Sequence, residues 1–285
     1  MILIIIMISQ GTGTPQEQDQ EQDHDHDQEY EDAGTCTASV PSINTAPDIV
    51  MKRLLPIFLL LGLFVAQPAP AAAPVAGEYV LLVGGPSLMI WEKYKGEAAH
   101  DHWWANFIRA ARIRTEQIRA QSPDAKITWL VYRPGYKDRS VQEKQDLFGF
   151  IDSVRDAFNL KLVYFAKGNE VINYLNNGQP RDSLKIADFE YFGHSNAKCF
   201  MFDYSSNIES ACKSWLHEDE LKQINGRVFA RGAFIKSWGC HTGESMSKKW
   251  YAATGTQMWG VIGKTQYMTD ELPVITGPNA KWVSR

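Results

Sequence analysis

The stretch that decides the fold is FIKSWGCHTGESMSKKW, residues 234–250, in which an apolar strand runs through a glycine into Cys240 and a helix follows. A short apolar run that ends in glycine and precedes a helix is typical of a strand in a sheet with helical crossovers. An earlier stretch, IADFEYFGH at residues 186–194, ends its own strand in glycine and His194 in the same way. The two stretches predict two strands of one sheet, each carrying a chemically active side chain at its end.

Strand-like and helix-like segments alternate outward from these two stretches. Strands are predicted at residues 78–86, 126–132, 160–166, 186–194, 232–240 and 257–263, with a strand or hairpin arm at 198–204, and helices at 103–121, 140–158, 169–177, 218–224 and 244–254. This alternation predicts an α/β fold with a mostly parallel sheet that helices cover on both faces. Such folds place their sites at the carboxyl ends of the strands. Residues 268–285 show no periodic pattern, and their role stays open.

The first 73 residues differ in composition from the rest of the chain. Residues 16–32 hold nine acids and no lysine or arginine, which predicts a disordered segment within residues 1–50. Residues 51–73 have the basic start, the short apolar run and the small-residue end of a secretory signal peptide. Either translation begins at Met51 and residues 1–50 reflect a misplaced start, or a true tail precedes a membrane anchor; the first reading is favoured. It places the protein outside the cytoplasm, secreted or periplasmic, with no membrane span after signal cleavage.

The remaining chain, residues 74–285, has the size of one domain with a substantial core. It carries 27 lysines and arginines against 23 acids, a mild balance that does not indicate a nucleic-acid surface. It contains no GxGxxG, no GxxxxGK[ST] and no CxxC motif, so neither a nucleotide site nor a zinc ribbon is predicted. No metal site and no cofactor are expected.

Three cysteines lie in this domain. Cys199 and Cys212 are close in sequence and could close a small disulfide loop in an oxidising compartment. Cys240 would then be left as a single thiol.

His194 and Cys240 form the candidate catalytic pair. Neighbouring parallel strands lie about 4.8 Å apart, so side chains that leave their carboxyl ends can approach each other. A thiol becomes a strong nucleophile when a base such as imidazole is nearby, and a helix that starts just after it adds a positive end. Gly193 and Gly239 allow tight exits from the two strands. The backbone N–H groups of Ser195 and Cys240 are the candidate oxyanion donors.

With these residues, the chain resembles the caspase-like cysteine peptidases, which include caspases, gingipains, clostripain, legumain and separase. The resemblance rests on YFGHS at 191–195 and SWGCHTGESMSKKW at 237–250, and it covers about residues 78–268. It implies a three-layer αβα sandwich in which His194 is the general base and Cys240 the nucleophile. The family usually has glycine after the histidine, whereas this chain has Ser195.

Four further residues are candidates for a substrate pocket. Trp238 lies two positions before Cys240 and could wall the same region; Asp203 could receive a basic side chain or be a turn residue; Lys264 and Thr265 follow another strand and could border the cleft.

Three functions remain in competition. The first is an exported cysteine peptidase that hydrolyses a peptide or protein substrate through the His194–Cys240 dyad without metal or cofactor. The second is an inactive caspase-like domain that binds a protein or ligand in the same cleft. The third and weakest is a structural exported domain.

Overall fold

The computed structural model describes residues 75–86, 103–203 and 213–284. The predicted disordered segment, the signal peptide and Cys212 lie outside these ranges, so the structure does not bear on them. The elements in chain order are β1 Glu78–Val83, α1 Asn106–Gln121, β2 Lys126–Tyr132, α2 Arg133–Glu143, α3 Leu147–Phe158, β3 Lys161–Phe165, α4 Gly168–Asn177, β4 Ile186–Phe192, β5 His194–Ser195, β6 Cys199–Met201, β7 Trp215–His217, two 3-10 turns Glu218–Gln223 and Gly226–Val228, β8 Phe229–Ser237, α5 Met246–Thr254, β9 Met258–Gln266 and β10 Val274–Ser284.

A seven-stranded sheet forms the centre of the domain, in the order β10-β9-β8-β4-β1-β2-β3. Every neighbouring pair is parallel except β9 and β10, which are antiparallel. The strands β4 and β8, which carry the two decisive stretches, are direct neighbours in the middle of the sheet. The predicted α/β class with a mostly parallel sheet is confirmed.

Apolar residues fill both faces of the sheet. One cluster joins the sheet to α4 and α5 and includes Trp250, and the other joins it to α1 and α3 and includes Trp129. Strand β4 is buried at all seven positions, as expected of a central strand covered on both sides. Helices on both faces are compatible with a three-layer sandwich. Within the described ranges, no helix is both long and apolar enough to cross a membrane.

A second, three-stranded sheet of β5, β6 and β7 sits at the carboxyl end of β4. Strand β4 ends at Phe192, and after Gly193 the chain enters β5 with His194. His194 therefore opens a small antiparallel sheet rather than closing the large one, because its backbone pairs with Met201.

Several elements differ in kind or in their bounds from the sequence prediction. The helix predicted at 140–158 is two helices, α2 and α3, separated where Lys144 takes a left-handed conformation (φ 53°). The predicted helix at 218–224 is a 3-10 turn, and the unassigned C-terminal residues include β10. Helix α5 begins at Met246, six residues after Cys240, whereas a start at residue 244 was expected. The positive end of a helix acts within about one turn, so α5 supports Cys240 less than the sequence suggested.

Candidate active site

The carboxyl ends of β4 and β8 stay paired beyond the last residues of the strands. The Trp238 N–H donates to the Tyr191 carbonyl at 2.9 Å, which carries the strand register up to the turn that precedes Cys240. On the other side of β4, the Gly84 N–H donates to the Phe192 carbonyl at 2.8 Å. The two stretches therefore reach the same edge of the sheet at the same height.

The turns that follow these strands contact each other directly. We call residues 193–195 the histidine corner and residues 239–241 the cysteine corner. The Ser195 hydroxyl donates to the Cys240 carbonyl at 2.6 Å. A Cβ atom placed on Gly239 would lie 2.9 Å from the Ser195 Cβ and 3.0 Å from the Gly193 carbonyl oxygen. His194 thus lies between two residues whose atoms pack against the cysteine corner.

The Cys240 thiol is half-buried and faces β9. The Thr265 N–H donates to Sγ at 3.4 Å, and the Thr265 carbonyl and hydroxyl oxygens each lie 3.7 Å from the sulfur. The Thr265 hydroxyl in turn donates to the Trp238 carbonyl at 2.7 Å. Thr265 is 2% exposed, so it forms a fixed wall on the side of the sulfur opposite to β4.

The His194 ring is half-buried and packs against the Phe107 ring of α1, with centroids 5.0 Å apart and planes at 88°. Its carbonyl accepts a hydrogen bond from the Tyr191 hydroxyl at 2.5 Å. The preceding Gly193 N–H donates to the Tyr267 hydroxyl at 2.8 Å. Backbone and ring are therefore held by separate contacts.

Ser195 does not have the left-handed backbone that would make a side chain unfavourable there. Among the described non-glycine residues, positive φ occurs at Lys144, Asn159 and His241. Ser195 instead pairs with Phe200 as ordinary extended backbone. A serine where caspase-like peptidases usually have glycine therefore introduces no backbone strain, and its hydroxyl joins the two corners.

His241 carries the unusual conformation instead, with φ 63°. Its N–H donates to the Gly263 carbonyl at 2.7 Å, and its Nδ1 lies 2.6 Å from a Glu244 carboxylate oxygen. The same carboxylate oxygen accepts the Gly263 N–H at 3.2 Å. The hydrogen bond from His241 lowers the pKa of Glu244. These contacts tie the cysteine corner to β9.

The candidate pocket residues are dispersed. Trp238 is 7% exposed, and its indole N–H donates to Glu190 at 2.6 Å, which leaves little of the ring for a ligand. Asp203 is buried two residues after β6, where it accepts from the hydroxyl of Tyr132, the last residue of β2, at 3.3 Å. Lys264 is exposed on β9, next to Thr265. Cys199 is half-buried on β6, and its predicted pairing with Cys212 stays a prediction.

A buried cluster of charged residues on α1, β4 and β8 was not predicted from the sequence. Arg114 of α1 forms ion pairs with Asp188, at 3.0 Å, and with Glu190, and Lys236 lies beside Glu190 in the strand register. Burial, with Glu190 beside it, raises the pKa of Asp188 well above its usual range. Burial lowers the pKa of Lys236 to about 8, and its ammonium lies 3.4 Å from the centre of the Trp238 ring system. The alternating acids of ADFEYF were the available signal, because they share one face of the strand.

Two cavities of about 560 and 410 Å³ lie elsewhere, one near the start of β2 and one beside the end of β3, and neither is lined by a residue of the two corners. In the described ranges, no three histidine, cysteine, aspartate or glutamate side chains are grouped as a metal site would require. Comparison with protein-family models, curated proteins and solved structures found no match.

Proposed function

We propose that this protein is an exported cysteine peptidase with a caspase-like, three-layer fold, in which Cys240 is the nucleophile and His194 the general base. The observation that carries the proposal is the hydrogen bond from the Ser195 hydroxyl to the Cys240 carbonyl, which joins the two corners. It joins the backbones of the two turns that carry the imidazole and the thiol, and nucleophilic catalysis by cysteine requires such a base close to the thiol.

In the proposed reaction, the Cys240 thiolate attacks the substrate carbonyl and a sulfur–carbon bond forms. His194 takes the thiol proton and then gives it to the leaving amine as the carbon–nitrogen bond breaks. Water then adds to the acyl-enzyme, and the sulfur–carbon bond breaks to release the acid and restore the thiol. The Thr265 N–H, at 3.4 Å, offers the sulfur anion a hydrogen-bond donor.

The geometry of β5 supports the Ser195 N–H as an oxyanion donor. The Asn196 N–H donates to the Cys199 carbonyl at 3.1 Å, so residue 196 directs its backbone groups towards β6. Adjacent residues of an antiparallel ladder alternate, so Ser195 directs its N–H away from β6. The Ser195 hydroxyl donates to the Cys240 carbonyl, so the two candidate oxyanion donors, the N–H groups of Ser195 and Cys240, belong to residues that contact each other.

One observation favours the second candidate function, an inactive caspase-like domain that binds a protein or ligand. The Cys240 sulfur lies 3.7 Å from the Thr265 carbonyl oxygen, so the thiol contacts β9 on the side of β8 opposite to β4. In a binding domain, the thiol would stay in contact with Thr265, because it never has to turn towards His194.

Alkylation kinetics separate the two functions. The purified protein is treated with limiting iodoacetamide at pH 7, and the alkylation of each cysteine is followed by mass spectrometry. In a peptidase, Cys240 reacts about tenfold or more faster than in His194→Ala, because the thiolate is the reactive form. His217→Ala, on β7, is the matched control and leaves the rate unchanged. A Cys240 rate that does not respond to His194→Ala would reject the dyad and leave the binding domain.

A further inference from the structure

Two aromatic side chains from distant parts of the chain meet beside His194. Phe107 comes from the first turn of α1, and Tyr267 follows the last residue of β9. Their rings are 4.7 Å apart at 71°, an edge-to-face contact, and Phe107 makes a second such contact with the His194 ring at 5.0 Å. Phe107 and Tyr267 are 2% and 7% exposed, so both are fixed by the surrounding core. We call this pair the aromatic clamp.

The clamp acts on both the backbone and the ring of the histidine corner. The Tyr267 hydroxyl accepts the Gly193 N–H at 2.8 Å, which fixes the peptide that precedes His194. The Phe107 ring stands at 88° to the imidazole. A contact of this kind favours one ring orientation over the alternatives by about two- to tenfold.

We propose that Phe107 and Tyr267 are positioning residues that hold the His194 imidazole in the orientation that reaches Cys240, an inference that rests on the proposed function. In many nucleophile–base pairs a third group, often a polar side chain, orients the general base. Here a backbone hydrogen bond sets the position of the residue and an aromatic ring sets the plane of the imidazole. Neither aromatic residue needs to touch the substrate.

The test compares two variants with two matched controls in the full chain. Tyr267→Phe removes the hydroxyl that accepts the Gly193 N–H, and Phe107→Leu removes the ring against His194. Tyr174→Phe is the control for the first, because Tyr174 is also 7% exposed and its hydroxyl donates to Glu78 at the opposite edge of the sheet. Phe189→Leu is the control for the second, because Phe189 is fully buried on the other face, against Trp250.

Two measurements are made on each protein. The first is the alkylation rate of Cys240 at pH 7. The second is the ¹H–¹³C spectrum of the histidine rings, in which the His194 signal is identified by its loss in His194→Ala. We expect each clamp variant to slow the alkylation of Cys240 by about threefold or more relative to its control, although the variant and its control lower the melting temperature by similar amounts. Phe107→Leu is also expected to move the His194 ring signal, since the ring current of Phe107 is lost.

The outcomes separate the clamp from the dyad. If His194→Ala does not slow alkylation of Cys240, the proposed peptidase fails, and the clamp is then judged by the His194 signal alone. A signal that moves in both clamp variants and in neither control supports the clamp. A signal and a rate that match those of the controls overturn it, because Phe107 and Tyr267 then contribute to stability only.

Discussion

Replacing Gly239 with alanine tests the contact between the two corners. The φ of Gly239 is not among the positive values, so alanine can adopt the backbone and the expected effect is steric. The new Cβ would overlap the Ser195 hydroxyl and lie 2.9 Å from the Ser195 Cβ and 3.0 Å from the Gly193 carbonyl oxygen. Something in the histidine corner must move.

The magnitude follows from these contacts. Overpacking of a close site costs about 1–3 kcal/mol. Displacement of the Ser195 hydroxyl also removes its hydrogen bond to Cys240, which contributes about 1 kcal/mol. We therefore expect Gly239→Ala to lower the free energy of unfolding by about 2–4 kcal/mol. In a Ser195→Gly background, the two contacts with Ser195 disappear and only the Gly193 oxygen remains, so the same change should cost about 1 kcal/mol.

Urea denaturation of the four proteins gives the coupling energy, expected to be about 1–3 kcal/mol. Gly178→Ala serves as the control, because its Cβ would overlap the Tyr174 ring at the opposite edge of the sheet and its cost should not depend on Ser195. If Gly239→Ala costs the same with serine and with glycine at position 195, the two corners do not pack as described. The structural basis of the dyad would then be lost, whatever the activity of the protein.

Three further predictions concern stability, each measured by urea denaturation. His241→Gly should be more stable than His241→Ala by about 1 kcal/mol, because φ is 63° and both variants lose the Glu244 contact equally; equal stabilities would contradict this. Because the folded-state pKa of Asp188 is raised, the stability of the wild type relative to Asp188→Asn should fall as the pH rises above about 4; parallel curves would reject it. The folded-state pKa of Lys236 is about 8, whereas lysine in an unfolded chain has a pKa of about 10.4. Between these two pH values, the unfolded chain binds more protons than the folded protein. The wild type should therefore gain stability relative to Lys236→Met over that range, and parallel curves would contradict this.

The strand pattern was readable because it depends on local signals. Apolar runs closed by glycine marked β4 and β8, and the elements between them followed from their spacing. The boundary between α2 and α3 was not readable, because α2 is largely polar and starts at Arg133 directly after β2. The strand β10 was missed because an edge strand is exposed for much of its length and carries no clear alternation.

The sequence singled out His194 and Cys240 as candidates, but it did not indicate their contacts. Periodicity placed His194 and Cys240 at the ends of two strands, and the resemblance to caspase-like peptidases implied that these strands are neighbours. The hydrogen bond of Ser195 to Cys240, the orientation of the thiol towards Thr265 and the contact of Phe107 with His194 join residues 25–87 positions apart. Such contacts depend on the register of the sheet and on side-chain packing, which no short pattern encodes.

The return of the chain along β10 determines how the protein can be attached to a support. Ser284 lies opposite Trp259, near the start of β9, and Glu78 begins β1 at the same edge. Both ends of the described domain thus lie on the amino side of the sheet, while Cys240 lies on the carboxyl side. A tether or fusion partner joined at the C-terminus would therefore lie away from the side of the sheet that carries the half-buried thiol, so immobilisation should not change the alkylation rate of Cys240.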